Sequence, residues 1–262
     1  MNRLVRYQTT YGTTEVGVAD SEGAVFEASE GLRDADGSLT VPPAGAKVGD
    51  LENLDLLPPI QPSKVFGIGV NYARHVAEMG LQPPEEPFLF LKTPNSLLGS
   101  RGAIERPAEV EELHFEGELA VVIGRSAKNV AAKDWRSVVL GYTVANDITV
   151  REWQRNDGQW VRAKCADTFL PLGPVIATDL PDPEDARIRS WVNGELRQDG
   201  STSDCIFGLG ELISYVTRWL RLEPGDVIIT GTPEGVGPLV DADHVTIEIE
   251  GIGSLSNRVV QL

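Results

Sequence analysis

Two glutamates, Glu116 and Glu118, stand two residues apart in the segment LHFEGELAVVIG (113–124), directly before an apolar run. Alternate residues of a β-strand point to the same face, so the two carboxylates would lie side by side. Neighbouring carboxylates repel each other, and burial removes their hydration. A hard divalent cation would offset both costs because it binds carboxylate oxygens. The alternative is a pair of solvated acids at the end of a strand.

Asp147 is a third acidic candidate because it ends the apolar, strand-like segment VVLGYTVAN (138–146). Three carboxylates with water form an oxygen-rich site that suits Mg²⁺ or Mn²⁺, with Ca²⁺ as a further option. A rival interpretation pairs His114 with Glu116 as transition-metal ligands on one strand of a cupin-like barrel. The two other histidines of the chain have no matching strand context, which argues against that rival.

His75 and Glu78 lie three residues apart in the helix-like stretch YARHVAEMG (72–80), so they share one helix face. A carboxylate beside an imidazole orients the ring and raises its basicity, as a general base for water requires. The pair follows the Gly-x-Gly end of a predicted strand, where functional loops gather. The alternative is a hydrogen-bonded pair on the protein surface.

Lys164 lies among small and apolar residues in VRAKCADTF (161–169), which indicates partial burial near a carboxylate or an enolate. Arg151 and Gln154 are three residues apart on one predicted helix, where an arginine fork can bind a substrate carboxylate. For all three residues the alternative is a solvated side chain. The segment ITGTPEGVG (229–237) follows a strand and offers hydroxyls and amides to an anion, or forms only a tight turn.

Strand-like segments dominate the chain and helices are short and scattered, which is typical of a β-rich α+β protein with a large mixed or antiparallel core. The Pro-rich run LLPPIQPSK (56–64) divides the chain into residues 1–60 and residues 61–262. We treat LHFEGELAVVIG as one continuous strand. An amphipathic helix is predicted over 209–220 from its apolar spacing. The irregular segment QPPEEP (82–87) is a candidate mobile lid.

Composition, net charge and the absence of long apolar stretches argue against several classes of protein. The 262 residues are 41% hydrophobic, and their formal net charge of −16 argues against binding to nucleic acid or to an anionic membrane. No apolar stretch approaches the about 20 residues that span a bilayer, and the N-terminus lacks the apolar core of a signal peptide. Cys165 and Cys205 are too few for a disulfide framework and are expected to be reduced. These features predict a cytoplasmic protein.

From about Lys64 to its C-terminus, the chain resembles the fumarylacetoacetate hydrolase family, especially its acylpyruvase, oxaloacetate decarboxylase and hydroxyheptadienedioate isomerase branch. The resemblance rests on several separate motifs in the right order, which is more specific than any one of them. These motifs are GVNYARHVAEM, PFLFLK, FEGELAVVIG, NDITVREWQ, QWVRAKCADTFLPLGP, VNGELRQDG, LEPGDVIITGTPEGVG and IEGIGSLSN.

The resemblance implies a mixed β-roll with short helices in residues 61–262, a small N-terminal β domain in residues 1–60, and a homodimer. It implies a hydrolase, dependent on Mg²⁺ or Mn²⁺, that cleaves a carbon–carbon bond of a 1,3-diketo acid. An acylpyruvate or fumarylpyruvate would give pyruvate and a carboxylic acid. The alternatives are isomerisation of 2-hydroxyhepta-2,4-diene-1,7-dioate and decarboxylation of oxaloacetate at the same site. A non-catalytic metal-binding protein is a distant alternative.

The resemblance also assigns roles to residues at matching positions. The implied metal ligands are Glu116, Glu118 and Asp147. The implied catalytic residues are His75, Glu78 and Lys164, and the implied substrate-binding residues are Arg151, Gln154 and Thr232.

Two positions depart from the family pattern. Many members carry Arg where this chain has Val70, and many bacterial members read K-G-F-D-T-F where this chain reads KCADTF, with Cys165 beside the implied catalytic lysine. Both departures leave the identity of the substrate open.

Overall fold

The structure is a computed structural model that describes residues 3–262. Strands dominate it, in agreement with the β-rich α+β class that the sequence predicts. Residues 3–60 form five strands: β1 (Arg3–Gln8), β2 (Thr14–Ala19), β3 (Ala24–Ala28), β4 (Ala44–Asp50) and β5 (Asp55–Leu57). No helix within residues 3–262 is long and apolar enough to cross a membrane.

The middle of the chain supplies the elements that surround the three acids. Its strands are β6 (Val65–Gly69), β7 (Phe88–Lys92), β8 (Leu97–Leu98), β9 (Ala103–Arg106), β10 (Leu113–Phe115), β11 (Gly117–Ile123), β12 (Val139–Asn146), β13 (Thr149–Val150) and β14 (Leu170–Ala177). Its helices are α1 (Ala73–Glu78), α2 (Arg151–Asn156) and α3 (Val161–Cys165), with short 3₁₀ turns at Pro94–Ser96 and Ala132–Val138.

The C-terminal part completes the fold. Its strands are β15 (Arg187–Val192), β16 (Glu195–Ser201), β17 (Val227–Ile229), β18 (Gly237–Pro238), β19 (His244–Ile249) and β20 (Gly253–Gln261). The 3₁₀ turn Thr202–Asp204 leads into α4 (Leu209–Trp219), whose apolar side buries Leu209, Leu212, Ile213 and Val216. Trp219 and Leu220, which the apolar spacing also assigned to that side, are 65% and 42% exposed.

Within residues 3–262 the strands form three sheets, of which two are mixed and the smallest is antiparallel. The large sheet has the order β4-β3-β2-β1-β14-β12-β11-β17-β6-β7, with β5 on β1 and β8 on β14. A small sheet has the order β13-β10-β18, and a third has the order β16-β15-β19-β20-β9. The pairing is mostly antiparallel, but β6 runs parallel to β17, β8 to β14, and β9 to β20. Since β1 pairs with β14, the N-terminal strands continue the large sheet, and the division near residue 60 stays a prediction.

Both faces of the large sheet are covered at its centre. All seven residues of β11, GELAVVI, are buried. Leu119, Val121 and Ile123 belong to one apolar cluster, whereas Ala120 and Val122 belong to a second. Alternate residues of a strand point to opposite faces, so two clusters pack against the two faces. This buried centre supports the end of β11 where the predicted metal ligands lie.

The expectation of one continuous strand from Leu113 to Gly124 is wrong. The chain leaves the small sheet after β10 and enters the large sheet at β11, with Glu116 between them. The amide of Glu116 donates to the side-chain oxygen of Asn146 at 3.0 Å rather than to a strand. Asp147 occupies the matching position between β12 and β13, and its amide donates to the Glu116 carbonyl at 2.9 Å. The crossing between two sheets therefore brings these two acids together.

Candidate active site

Three carboxylates meet where the large and small sheets join. One oxygen from each of Glu116, Glu118 and Asp147 lies within 4.8 Å of the others, and all three residues are buried. Glu116 and Asp147 project from the breaks in their strands, and Glu118 is the second residue of β11. The structure thus brings together the three residues that the sequence analysis assigned to a metal.

Cationic side chains surround two of these acids. The Lys164 ammonium donates to Glu116 at 2.7 Å and to Asp147 at 2.5 Å. Arg151 donates to the other oxygen of Glu116 at 2.5 Å. Lys92 donates to the other oxygen of Asp147 at 2.5 Å and to the Phe169 carbonyl at 2.7 Å. Sequence reasoning missed Lys92, whose one signal is a charged residue at the end of the apolar strand PFLFLK.

The neighbouring charges shift the pKa values of Glu116 and Glu118 in opposite directions. Burial alone would raise the pKa of Glu116, but the charges of Arg151 and Lys164 outweigh burial and hold that pKa well below its usual range. The pKa of Glu118 lies well above its usual range because the group is buried beside the negative charges of Asp147 and Glu116. Within residues 3–262 no lysine or arginine forms a salt bridge with Glu118, which accepts only the Gly231 amide, at 2.7 Å.

These residues fit a divalent cation. Hard cations prefer carboxylate oxygens, and three such groups converge here. The carboxylate of Glu118 lacks a cationic partner of its own, so an ion shared by the three acids would supply the missing positive charge. Glu116, Glu118 and Asp147 are therefore the residues that would hold the ion.

Lys164 is more deeply buried than the sequence indicates, at 2% exposure. Burial disfavours its charged form, but Asp147 and Glu116 outweigh burial and raise its pKa. Its ammonium also lies 4.8 Å from the centre of the Phe90 ring. Lys164 therefore carries its proton at neutral pH and contributes a positive charge to the site.

His75 and Glu78 form the predicted pair. Nδ1 of His75 lies 2.9 Å from a carboxylate oxygen of Glu78, and the His75 side chain is buried. The amide of Gly235 donates to both oxygens of Glu78, at 3.3 and 3.4 Å. An Nδ1–H donated to Glu78 leaves Nε2 as the ring atom that can accept a proton.

Arg151 and Gln154 contact each other on α2. The Arg151 guanidinium donates to the Gln154 side-chain oxygen at 2.8 Å and, through Nε, to Nδ1 of His114 at 3.3 Å. Burial and the Arg151 charge lower the pKa of His114 to about 4. His114 is not among the clustered metal-ligating groups that the structure brings together within residues 3–262, so the cupin-like interpretation finds no support.

Thr232 is held by a residue from another sheet. Gln198, on β16, donates to the Thr232 hydroxyl at 2.8 Å and to the Pro233 carbonyl at 2.8 Å. Its side-chain oxygen accepts from the Gly117 amide at 3.1 Å and from the Ser190 hydroxyl at 2.7 Å. Sequence reasoning missed this buried glutamine because no local pattern joins β16 to the turn after β17.

One cavity of about 270 Å³ connects these groups. Its lining includes all three acids, His75, Lys164, Arg151, Gln154 and Thr232, so eight of the nine predicted site residues line it. Glu78 reaches the cavity through His75. A larger groove of about 950 Å³ lies among the N-terminal strands, but no histidine, cysteine or lysine lines it.

The family model described as fumarylacetoacetate (FAA) hydrolase C-terminal matches residues 64–260. The chain belongs to the fumarylacetoacetate hydrolase family. A 4-hydroxyphenylacetate degradation bifunctional isomerase/decarboxylase of Escherichia coli is 44% identical over 199 residues, which cover 75% of this chain and 46% of the relative.

Two solved structures extend the comparison over nearly the full length. A 2-hydroxyhepta-2,4-diene-1,7-dioate isomerase from Mycobacterium marinum is 40% identical, with a TM-score of 0.88 and 100% and 99% of the two chains covered. A maleylpyruvate hydrolase from Sphingobium sp. SYK-6, in complex with manganese (II) ion and pyruvate, is 32% identical, with a TM-score of 0.81 and 99% of each chain covered. Fumarylacetoacetate hydrolase family proteins are metal-dependent enzymes, and this member carries the carboxylate cluster.

The two departures from the fumarylacetoacetate hydrolase pattern lie near the cavity. Val70 lines it directly, at the end of β6. Cys165 follows Lys164 on α3, but its thiol points away to the Leu91 carbonyl at 3.2 Å. Only the first departure therefore changes the surface that a substrate would meet.

Proposed function

We propose that this protein is a divalent-metal-dependent hydrolase that cleaves the carbon–carbon bond of an acylpyruvate-type 1,3-diketo acid. The observation that carries the proposal is the His75–Glu78 pair, whose histidine lines the same small cavity as the buried carboxylate cluster. A base for water beside a site for an α-keto acid is the arrangement that hydrolysis requires.

A divalent ion bound at the three acids would supply Lewis-acid chemistry, withdrawing electron density from the α-keto acid portion of the substrate. Around that portion, Arg151 and Gln154 would bind the substrate carboxylate. The Thr232 hydroxyl, fixed by Gln198, offers a further hydrogen bond. These contacts would orient the distal carbonyl toward His75.

The reaction then uses groups of the protein. Nε2 of His75 takes a proton from water, while Glu78 holds the ring and stabilises the positive charge that it gains. The hydroxide oxygen bonds to the distal carbonyl carbon, and the adjacent carbon–carbon bond breaks. Its electron pair goes to the methylene carbon of the pyruvyl fragment, which gains a proton. Lys164, positively charged, is the donor or electrostatic stabiliser, and the products are pyruvate and a carboxylic acid.

Isomerisation is the second candidate, because a structural neighbour of 40% identity is named as a dienedioate isomerase. Decarboxylation is supported by the name of the bifunctional relative from Escherichia coli. Both reactions move electrons through the same α-keto acid portion and neither needs water to attack. The dyad supports hydrolysis, because a base that activates water at the distal carbonyl is required only by hydrolysis.

The deciding experiment incubates the purified protein with Mg²⁺ or Mn²⁺ and, separately, butanoylpyruvate, oxaloacetate and a hydroxydienedioate, and identifies products by mass. Hydrolysis in H₂¹⁸O must place one ¹⁸O atom in the released carboxylic acid. We expect His75→Asn to lose at least about 100-fold in kcat, as removal of a general base does, with unchanged thermal stability. Isomer or carbon dioxide formation without acid release would replace the proposal with one of the alternatives. If no substrate reacts, the result supports the alternative that this is a non-catalytic metal-binding protein.

A further inference from the structure

The cavity that holds the acids has a second wall made of hydrocarbon. Its apolar lining comes from three regions of the chain, namely the end of β6, the segment around the end of α1, and the facing aromatic residues of β7 and the start of α3. The side chains are Ile68, Val70, Met79, Leu81, Phe90 and Trp160. This wall takes no part in the reaction proposed above, so it is available to select the substrate.

The aromatic part of the wall is built into β6 and β7. Gly67 pairs with Phe90 across the strands, and a Cβ on Gly67 would lie 2.1 Å from the Phe90 ring. Gly69 pairs with Phe88 in the same way, and a Cβ there would lie 2.9 Å from that ring. Trp160 packs on both rings, with its centroid 4.8 Å from that of Phe88 and 5.7 Å from that of Phe90. The rings of Phe90 and Phe88 occupy the space that side chains at positions 67 and 69 would need. Glycine at these two positions therefore lets the rings pack directly on the strand.

Val70 is held in a conformation that a β-branched residue rarely adopts. Its φ is 53°, in the left-handed region, where Cβ branching is disfavoured. The next residue fixes it: Asn71 donates to the Thr230 carbonyl at 2.9 Å and accepts from the Phe207 amide at 2.9 Å. Backbone strain of this kind persists where surrounding contacts impose it, and it clusters at functional sites. Here it places a hydrocarbon side chain in the cavity wall.

The cations of the cavity are already engaged. Lys164 is paired with two of the clustered acids. Arg151 is paired with one of them and is the residue proposed above to bind the carboxylate at the α-keto acid end of the substrate. Arg155, on the rim, is 2.6 Å from Glu112. Among the described residues that line the cavity, no lysine or arginine without a carboxylate partner lies beside the hydrocarbon wall. A second carboxylate on the substrate would lose hydration there without gaining a partner.

We infer that the distal end of the substrate is an uncharged hydrocarbon acyl chain and that Val70 is a specificity-determining residue that disfavours a second carboxylate. This inference rests on the proposed function and names its substrate class. It separates the protein from the neighbour that is named as an isomerase of a 1,7-dioate, a substrate with carboxylates at both ends.

Kinetics on a matched pair of substrates test the inference. Butanoylpyruvate and fumarylpyruvate both have acyl groups of four carbons. Fumarylpyruvate carries a terminal carboxylate and a trans double bond, whereas butanoylpyruvate has a saturated chain that ends in a methyl group. We expect kcat/KM for butanoylpyruvate to exceed that for fumarylpyruvate by at least about tenfold. From acetylpyruvate to butanoylpyruvate, kcat/KM should rise about threefold to fourfold per methylene. If fumarylpyruvate is cleaved as well or better, the inference fails and the hydrolase stands; if no diketo acid is cleaved, both fail.

A binding measurement gives a readout independent of turnover. The ligands are 2-oxohexanoate and 2-oxoadipate, which have six carbons each and differ in the terminal carboxylate. Titration calorimetry in the presence of Mg²⁺ should give at least about tenfold tighter binding of 2-oxohexanoate. Equal or tighter binding of 2-oxoadipate would overturn the inference.

Substitutions then assign the selectivity to Val70. Val70→Arg should raise the ratio of fumarylpyruvate to butanoylpyruvate kcat/KM by at least about tenfold. Val70→Asn, which tolerates the left-handed conformation, should weaken the preference for longer acyl chains without that gain. The control is Val240→Arg, at a valine that is 56% exposed and outside the cavity, with an unchanged ratio. An unchanged ratio in a folded Val70→Arg protein would remove Val70 from the inference.

Discussion

At the scale of single residues, Lys92 is the group with the largest predicted effect on stability. It is 1% exposed, and its ammonium contacts an oxygen of Asp147 at 2.5 Å. Lys92→Met keeps the hydrocarbon stem but leaves that buried carboxylate without one of its cations. We expect the free energy of unfolding to fall by about 3–5 kcal/mol, measured by urea denaturation without added metal.

The matched control for this prediction is Lys47→Met. Lys47 also contacts a carboxylate, that of Asp50, at 2.8 Å, but both side chains are about half exposed. Since water screens such a pair, we expect no measurable change in stability. Equal effects of the two substitutions would show that the Lys92–Asp147 contact contributes nothing particular to the buried site.

The acids of the site are predictable from sequence, whereas Lys92 and Gln198 are not. Glu116 and Glu118 are close in sequence and precede an apolar strand, and Asp147 ends another, so local spacing identifies them. Lys92 contacts a partner 55 residues away, and Gln198 contacts one 34 residues away. No local pattern distinguishes such residues from solvated ones, because their burial is decided by how distant strands pair.

The reactivity of Cys205 gives a second test at this scale. Burial, followed by nearby negative charges, raises the pKa of its thiol to about 12, although the Tyr72 hydroxyl opposes the shift. A pKa of about 12 leaves only about one thiolate in ten thousand at pH 8, and thiolate is the reactive form. Alkylation of Cys205 by iodoacetamide should therefore be slow at pH 8 and accelerate about tenfold per pH unit. Mass spectrometry of its peptide follows the rate, and modification as fast as in urea-unfolded protein would contradict the expectation.

At the scale of elements, the break between β10 and β11 explains both the success and the failure of the strand prediction. Alternation and apolar content correctly identify strand on both sides of Glu116. They do not reveal that the chain changes sheets there, because each half pairs with a different distant strand: β10 with β13 and β18, and β11 with β12 and β17. The carboxylates meet because of this change of sheet, which only tertiary structure reveals.

The contact between β6 and β7 gives a testable prediction about an element. In Gly67→Ala, the new Cβ would lie 2.1–2.6 Å from three atoms of the Phe90 ring, so strand or ring must move. We expect a loss of about 1–3 kcal/mol in the free energy of unfolding. We also expect a lower kcat/KM, because Phe90 lines the cavity and lies over Lys164.

A double-mutant cycle isolates the clash. Phe90→Ala removes the ring, so adding Gly67→Ala to it should cost much less stability than Gly67→Ala does alone. Gly31→Ala is the control, because a Cβ at Gly31 meets nothing within 4 Å. Additive losses in the double mutant would show that the ring is not what requires glycine at position 67.

At the scale of the whole molecule, metal binding should reverse the order of stability of the wild type and the Glu118→Gln variant. Without metal, burial and the negative charges of Asp147 and Glu116 raise the pKa of Glu118, so an ionised Glu118 opposes folding. Glu118→Gln removes that cost. We therefore expect the variant to be at least as stable as the wild type in the presence of a chelator. At Mn²⁺ concentrations of about 100 times Kd, the wild type should gain about 2.7 kcal/mol and become the more stable protein. Thermal melts with and without Mn²⁺ measure both orders, and equal stabilisation of the two proteins would exclude Glu118 as a ligand.

The pairing of β1 with β14 predicts the behaviour of a fragment containing residues 61–262. In the intact protein Leu4 pairs with Ile176 between β1 and β14, and Val5 and Tyr7 belong to the same apolar cluster as Leu119. Removal of the N-terminal strands exposes an edge of β14 and the apolar surface that they cover, and exposed edges favour aggregation. We expect the fragment to lose cooperative thermal unfolding, measured by circular dichroism, and to aggregate at concentrations where the full chain does not. Cooperative unfolding near the melting temperature of the full chain would instead show that residues 61–262 fold as an autonomous catalytic domain, with the N-terminal strands added to a complete sheet.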